Sequence, residues 1–303
     1  HINIDSNSKE AKCNIGFGNW EAGPLAINKT YFDGSLTQDT LYLDFNSFAN
    51  DEKLFRIQSE ITGNDEELNF RINPSDLILN RNPWEIPNSN QISFSKEAIT
   101  FNDFVLSRNS QEIKLSDDLG ETKNHIGVAL KNFKLSTFMS YFNPDEYLAS
   151  GIVNGDFKII NPLADWGMVA DMNITDFKAI EVPLGELQLK AKSINNKKYD
   201  FKLDLNGQNI DLNINGDYLA EETGPQLNVN VDLNKLALSI IEGFSNEELQ
   251  ESEGSIAANF ELDGPITDLN YKGEINFNEA AFLVSKLNSK FKLSNDKIKV
   301  DNQ

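Results

Sequence analysis

Strict alternation of apolar and polar residues is the feature that most constrains this chain. Phe201-Lys202-Leu203-Asp204-Leu205, Ile210-Asp211-Leu212-Asn213-Ile214 and Leu227-Asn228-Val229-Asn230-Val231-Asp232-Leu233 each set apolar side chains on one side and polar ones on the other. A period of two belongs to a half-buried β-strand, because a helix would scatter such a pattern around its axis. Asn206-Gly207, between the first two runs, predicts a hairpin with a type I′ turn, since Asn-Gly readily takes positive φ. Asp33-Gly34, Asn154-Gly155, Asn215-Gly216 and Asp263-Gly264-Pro265 read as further turns, separating alternating sets such as Leu187, Leu189 and Ala191, or Ile256, Ala258, Phe260 and Leu262, or Ile275 and Phe277. The expectation is an all-β, mainly antiparallel sheet whose strands follow one another in sequence order.

Two segments break the alternation. Residues 135–149, with Phe138, Met139, Phe142 and Leu148, and residues 238–249, with Ile241, Phe244 and Leu249, carry helix-like spacing. Both predict short helices, with Ser245 or Asn246 ahead of Glu247-Glu248 as a capping residue. They also open a repeat, because Leu135 and Leu238 lie 238 − 135 = 103 residues apart. The same offset pairs Ser136 with Ser239, Asn143 with Asn246, Gly151 with Gly254, Phe157 with Phe260, Pro162 with Pro265, Asp165 with Asp268 and Asn173 with Asn276. Eight identities in about forty positions exceed the roughly one in sixteen that average composition gives. With one residue of slip, Leu187 and Leu189 correspond to Phe291 and Leu293. The module reads as a helix of about three turns, a strand, a Pro-marked turn and more strands. This divides the chain into an N-terminal sheet segment (1–134), a helix-led repeat (135–237) and a second, truncated copy (238–303). The strand-like opening at His1-Ile2-Asn3-Ile4, and a second copy that reaches Gln303 before completing, predict a piece of a longer protein.

Composition narrows the function. Hydrophobic residues at 39% and aromatics at 10% are enough to fold. The net charge of −20, from 47 acidic and 27 basic side chains with no Lys/Arg-rich run, repels phosphate backbones and anionic headgroups at long range. Nucleic acid is therefore excluded as a partner class. The single cysteine, Cys13, rules out an internal disulfide and reads as a small buried hydrophobe. No stretch approaches the roughly 18 to 20 apolar residues of a membrane-spanning helix.

The histidines are His1 and His125, and His125, near Asp117, Asp118 and Glu121, reads as a solvated loop residue. Gly16-Phe17-Gly18 lacks the third glycine and following helix of a dinucleotide-binding loop. Asp51-Glu52, Asp65-Glu66-Glu67 and Glu221-Glu222 read as solvated turn charges. The expectation is a non-enzymatic chain with no catalytic residue, no metal and no cofactor.

A sheet with one apolar face must cover that face or present it. Periodicity leaves two solutions open: a closed sandwich or β-solenoid with a dry core, acting as a structural or interaction scaffold, or a sheet curled into an open trough. The candidate lining residues are Phe201, Leu203, Leu205, Ile210, Leu212, Ile214, Leu227, Val229, Val231, Leu233, Phe260 and Leu262, the cleanest alternating sets.

Residues 254–277 run as a Gly-led strand, a Gly264-Pro265 turn with Asp268, and a second Gly-led strand from Gly273. Upstream, Asn82-Pro83-Trp84-Glu85-Ile86-Pro87 leads into Ile92 and Phe94, then Phe104-Val105-Leu106 and Gln111-Glu112-Ile113-Lys114-Leu115. From about residue 30 onward this order resembles TamB-like proteins of the AsmA superfamily, in their Bacteroidetes-type version. The resemblance implies an elongated, repeating β-groove (a β-taco) in the periplasm, anchored in the inner membrane in the full-length protein. It further implies phospholipid acyl chains as the cargo and a TamA-like outer-membrane β-barrel protein as the partner. The function so implied is movement of phospholipid between the two membranes, or assembly of outer-membrane β-barrel proteins.

Overall fold

The computed structural model describes residues 2–5, 10–23, 25–121, 124–193, 196–221 and 224–302, with the backbone alone for 2–5 and 10. His1 and Glu222, both weighed above, lie outside the described residues. The chain divides into two compact units, residues 1–164 and 165–303. This division falls at a different place from the repeat, whose first helix begins inside the first unit.

Unit 1 opens with β1 (Ile2–Asp5), β2 (Glu10–Phe17) and the small hairpin β3 (Trp20–Ala22) and β4 (Leu25–Ile27). There follow β5 (Thr30–Thr37), β6 (Thr40–Ala49), β7 (Glu52–Gly63), β8 (Glu67–Ile72), β9 (Ile78–Leu79), β10 (Asn82–Pro83), β11 (Gln91–Ser95) and β12 (Ile99–Asn102). These form an antiparallel sheet in the order β1-β2-β5-β6-β7-β8-β11-β12, with β9 on β7 and β10 on β9. A second antiparallel run contains β13 (Val105–Arg108), β14 (Gln111–Ser116), β15 (His125–Lys134) and β16 (Ala149–Ile160), with helix α1 (Leu135–Met139) between the last two. From the Asn82-Pro87 segment Trp84 and Ile86 enter the core, buried like Leu54, Leu77 and Phe104, while Pro83, Glu85 and Pro87 stay exposed; the Trp84 ring packs on Phe133 at 6.2 Å.

Unit 2 contains β17 (Gly167–Ala179), β18 (Val182–Ser193), β19 (Lys198–Asn206), β20 (Ile210–Leu219) and β21 (Gln226–Ala237). Helix α2 (Leu238–Phe244) leads into β22 (Leu249–Pro265), β23 (Asn270–Val284), β24 (Ser289–Leu293) and β25 (Lys297–Asp301). Its strands pair antiparallel in sequence order from β17 to β24, and β25 takes the remaining half of β23. The all-β, mainly antiparallel architecture expected from the alternation is the one observed, and its sheets do not close.

The 103-residue offset is written in backbone geometry as well as in identities. The helices begin at Leu135 and Leu238, and β17 and β23 begin at Gly167 and Asn270 (270 − 167 = 103). Asp176 and Glu279, also 103 apart, both hold a positive φ, 52° and 48°. A positive φ outside glycine costs energy, so its recurrence at matching positions marks a shared bend.

Four local expectations need correction. The helices are five and seven residues long, well short of three turns. Neither has a side-chain N-cap, and Ser245 instead closes the C-terminus of α2: its hydroxyl donates to the Glu242 carbonyl (2.8 Å) and accepts from the Leu249 amide (3.0 Å). Asn206-Gly207 does end a hairpin, with β19 paired to β20, yet neither residue has positive φ, so the turn is not type I′. The turn is closed by the Gly207 amide donating to the Ile210 carbonyl (2.8 Å), and Gly207 lacks a side chain because a Cβ there would strike the Leu184 carbonyl. Asp33-Gly34, Asn154-Gly155 and Asn215-Gly216 are not turns at all but lie inside β5, β16 and β20. A Cβ on Gly216 would run into the Asn228 carbonyl and Val229, a close strand-to-strand approach that glycine permits.

Candidate apolar binding face

Register decides which alternating residues share a face, since a slip of one residue would turn a strand over. In unit 2 the registers agree. One row across the strands reads Met172, Leu189, Leu203, Ile214, Val231, Phe260, Gly273 and Val300. A second reads Ile174, Leu187, Leu205, Leu212, Leu233, Ala258, Ile275 and Ile298. A third reads Ala170, Ala191, Phe201, Gly216, Val229, Leu262 and Tyr271, and a fourth Ser193, Tyr199, Tyr218, Leu227 and Gly264. Eleven of the twelve residues picked out from the sequence lie in these rows. The twelfth, Ile210, pairs with Leu236 at the end of β20, two residues before Leu212 and on the same side.

The opposite face is polar row by row: Asp171, Lys190, Lys202, Asn215, Asn230, Glu261, Lys272 and Asp301 occupy matched positions. The Glu261 carboxylate beside Lys272 (2.7 Å) holds that ammonium above its ordinary pKa of 10.5, chiefly by hydrogen bonding. Hydrogen bonds from Lys297 and Asn276 hold the Glu274 carboxyl below its ordinary 4.5. Both pairs are solvent-screened and keep this face charged and wet.

The apolar face differs along the strand direction. At one border β-bulges interrupt β17 between Ile174 and Phe177 and β21 between Leu233 and Leu236, and bulges bend a strand. Helix α2 packs there on β18, β21, β22 and β23. Ile240 joins Val182, Leu184, Leu205 and Ile210 in a buried cluster, with Phe177, Leu203, Leu212, Leu233 and Leu236 packed against it. Leu205 and Ile210 therefore serve as core beneath the helix. Away from α2 the face opens in part: Ile214, Val231, Phe260 and Leu262 are half-buried, Leu189 is 38% and Ile298 49% exposed, whereas Val229 in the third row is buried at 8% and serves as core. The ring of Phe260 lies over the position a Gly273 side chain would fill, so the glycine makes room for the aromatic.

Residues weighed for chemistry fall elsewhere. His125 is not a solvated loop residue: it begins β15, is 3% exposed, and its Nε2 accepts from the Leu119 amide at 2.8 Å. It lines a hollow of about 420 Å³ in unit 1 with Glu97, Asp117, Asn124 and Asn161. Cys13 is half-buried in β2. Among the described residues no three His, Cys, Asp or Glu side chains are grouped to hold a metal ion, and no helix is long and apolar enough to cross a membrane.

The polar side of the sheet carries a feature that the net charge conceals. Between residues 190 and 202 stand Lys190, Lys192, Lys197, Lys198 and Lys202 against one acid, Asp200. Their spacing among apolar residues hides this local positive excess within a chain of net charge −20.

The chain matches no protein-family profile, no characterised protein in sequence and no solved structure in fold. What fold and face define is an open, one-faced antiparallel β-sheet protein that presents in-register apolar rows.

Proposed function

We propose that this chain is a non-enzymatic lipid-carrying segment whose apolar face in unit 2 holds the acyl chains of phospholipid. The observation that carries this reading is the set of apolar rows kept in register over β17–β25 and left half-exposed beyond α2. Burying a methylene group stabilises by about 0.8 kcal/mol, so one acyl chain laid on such a face gains several kcal/mol. The resemblance to TamB-like proteins supports the same reading and extends it: a periplasmic location, an inner-membrane anchor in the full-length protein, and cooperation with a TamA-like outer-membrane partner in outer-membrane assembly.

Native mass spectrometry with lipid extraction, on the chain purified from a bacterial envelope, tests the proposal. Phospholipid should co-purify, and should be lost in Ile214→Glu and Val231→Glu, which charge the face at half-buried positions. Asn230→Glu, on the polar face, should leave it bound. A folded chain that carries no lipid, or variants that lose it equally from both faces, would move the assignment to a closed scaffold.

A further inference from the structure

In unit 1 the connection that leaves β14 lies back over its sheet. Beneath it Ser116, His125 and Lys158 are buried, at 6%, 3% and 8% exposed, although each side chain carries a polar group. Register puts the three on one side, since Ser116 faces Gly127, Gly127 faces Lys158, and His125 stands two residues before Gly127. A Cβ on Gly127 would strike Leu119 Cδ1, so the Leu119 side chain crosses the strand where no side chain rises. Polar bonds hold residues 117–121 down at three places. The Asp118 amide donates to the Ser116 hydroxyl (3.0 Å), the Lys158 ammonium reaches the Glu121 carboxylate (3.5 Å), and the Leu119 amide donates to Nε2 of His125 (2.8 Å).

The last of these bonds depends on the charge of the imidazole. A ring nitrogen that accepts a hydrogen bond carries no hydrogen, so the ring is neutral with its hydrogen on Nδ1. Imidazolium has an N–H at both nitrogens, and a proton arriving at Nε2 sets two donors face to face. Imidazole gains that proton between about pH 8 and pH 5, an interval over which a hydroxyl does not titrate and carboxylates and ammonium groups ordinarily keep their charge. Charges around the ring act in both directions. Asp117 and Glu97 line the hollow of about 420 Å³ beside His125, Asp118 and Glu121 belong to the connection, and Asp156 lies on β16; these acids favour the imidazolium. Lys158, held by Asp156 at 3.1 Å, Lys114 on β14, and Lys123 two residues earlier in the chain oppose it.

We infer that His125 is an acid-operated latch on residues 117–121. While the ring is neutral it holds the Leu119 amide and keeps this segment over Ser116, Gly127 and Lys158. Proton uptake at Nε2 removes the bond, and a protonated ring left in place would be a buried charge that has lost a partner. The segment lifts, the ring gains water, and the hollow lined by His125, Asp117 and Asn161 widens on the side that the segment had covered. The change stays local, because the β14–β15 ladder is made by backbone groups and does not use the imidazole.

Hydrogen exchange read by NMR on the full chain tests the latch, because the Leu119 amide reports its own bond. Protection is taken relative to an unstructured peptide at the same pH, which removes the intrinsic pH dependence of exchange. From about pH 8 to about pH 5 the protection of Leu119 should fall about tenfold or more. Over the same interval ¹⁵N-labelled imidazole signals, assigned with His1→Ala, should show His125 passing from one protonated ring nitrogen to two, with the same midpoint. The Ile72 amide, bound to the buried Asn90 oxygen in the same unit, should keep its protection. His125→Gln offers Leu119 a side-chain oxygen that does not titrate, and its Leu119 protection should be equal at both pH values; if that variant does not fold, coincidence of the two midpoints in the unmodified chain decides. Leu119 protection that stays level while His125 gains its proton, a ring that stays neutral at the acid end in the folded chain, or loss of Ile72 protection in parallel with Leu119 overturns the latch.

Discussion

Asn90 has no exposed surface and answers three backbone groups at once. Its amide nitrogen donates to the carbonyls of Ile72 (2.8 Å) and Pro87 (2.7 Å), and its oxygen accepts from the Ile72 amide (2.8 Å). Alanine there would leave buried groups unpaired, each worth about 1–3 kcal/mol, so Asn90→Ala should lower unfolding free energy by about 3 kcal/mol in a denaturant titration. Nothing in sequence distinguished this asparagine from the many that face water. Charges at the surface act more weakly but with a definite sign. Asp76 is held below its ordinary 3.8, first by the hydrogen bond from Lys53 and then, against some desolvation, by the charges of Arg56 and Lys53. Glu274 is held below 4.5 in the same manner by Lys297 and Asn276. A carboxyl depressed in the folded state stabilises above its unfolded pKa, and that contribution disappears as pH falls through the folded value. Lys272, raised above 10.5, has the opposite sense: its contribution is complete below 10.5 and is lost as pH rises through the folded value. In an NMR titration the Glu274 midpoint should lie below 4.5, and Lys297→Ala should raise it towards that value without moving Asp76.

At the scale of elements, α2 is a small helix with a large task. Seven residues cannot hold a helix in water by propensity alone, so α2 exists because Leu238 and Ile240 are buried against strands. Ile240→Ala should destabilise by about 3 kcal/mol, in the usual range for an aliphatic truncated in a core. Calorimetry of the unfolding transition would read this, and an unchanged midpoint would mean that α2 does not close the cluster. The strands around it show what alternation reveals and what it conceals. Phe201 to Leu205 and Leu227 to Leu233 were legible because side-chain direction in a strand follows from residue parity alone. The 103-residue repeat was legible because both copies keep their apolar and glycine positions. Helix length was not, since Ser140 and Ser245 end the helices through local hydrogen bonds, each hydroxyl donating to the carbonyl three residues before it, that helix-like spacing cannot foresee. Glycines misled most: Gly34, Gly155 and Gly216 read as turns, whereas strand glycines can answer a close approach from a neighbouring strand, as at Gly216. The packing of Trp166 on Tyr199 was equally hidden, because the two lie 33 residues (199 − 166) apart in sequence.

For the whole molecule, the same sheet that folds the chain leaves part of its folding energy unspent. A closed β-protein buries both partners of each apolar contact, whereas here Ile214, Val231, Phe260 and Leu262 are only half-buried. A ligand that covers them in the folded state and has no matching surface in the unfolded chain must raise stability through mass action. With lipid at 100 times its dissociation constant the gain is about 2.7 kcal/mol, and each further tenfold adds about 1.4 kcal/mol. Denaturant unfolding with increasing short-chain phosphatidylcholine, kept below its micelle concentration, should therefore show a rising midpoint for the unmodified chain and for Asn230→Glu. Val231→Glu should start from a similar stability, because its carboxylate can reach water at the open face, and should not respond to lipid. If Val231→Glu instead unfolds outright, or if the midpoint of the unmodified chain ignores lipid, the face is already covered and its rows are a core in the ordinary sense.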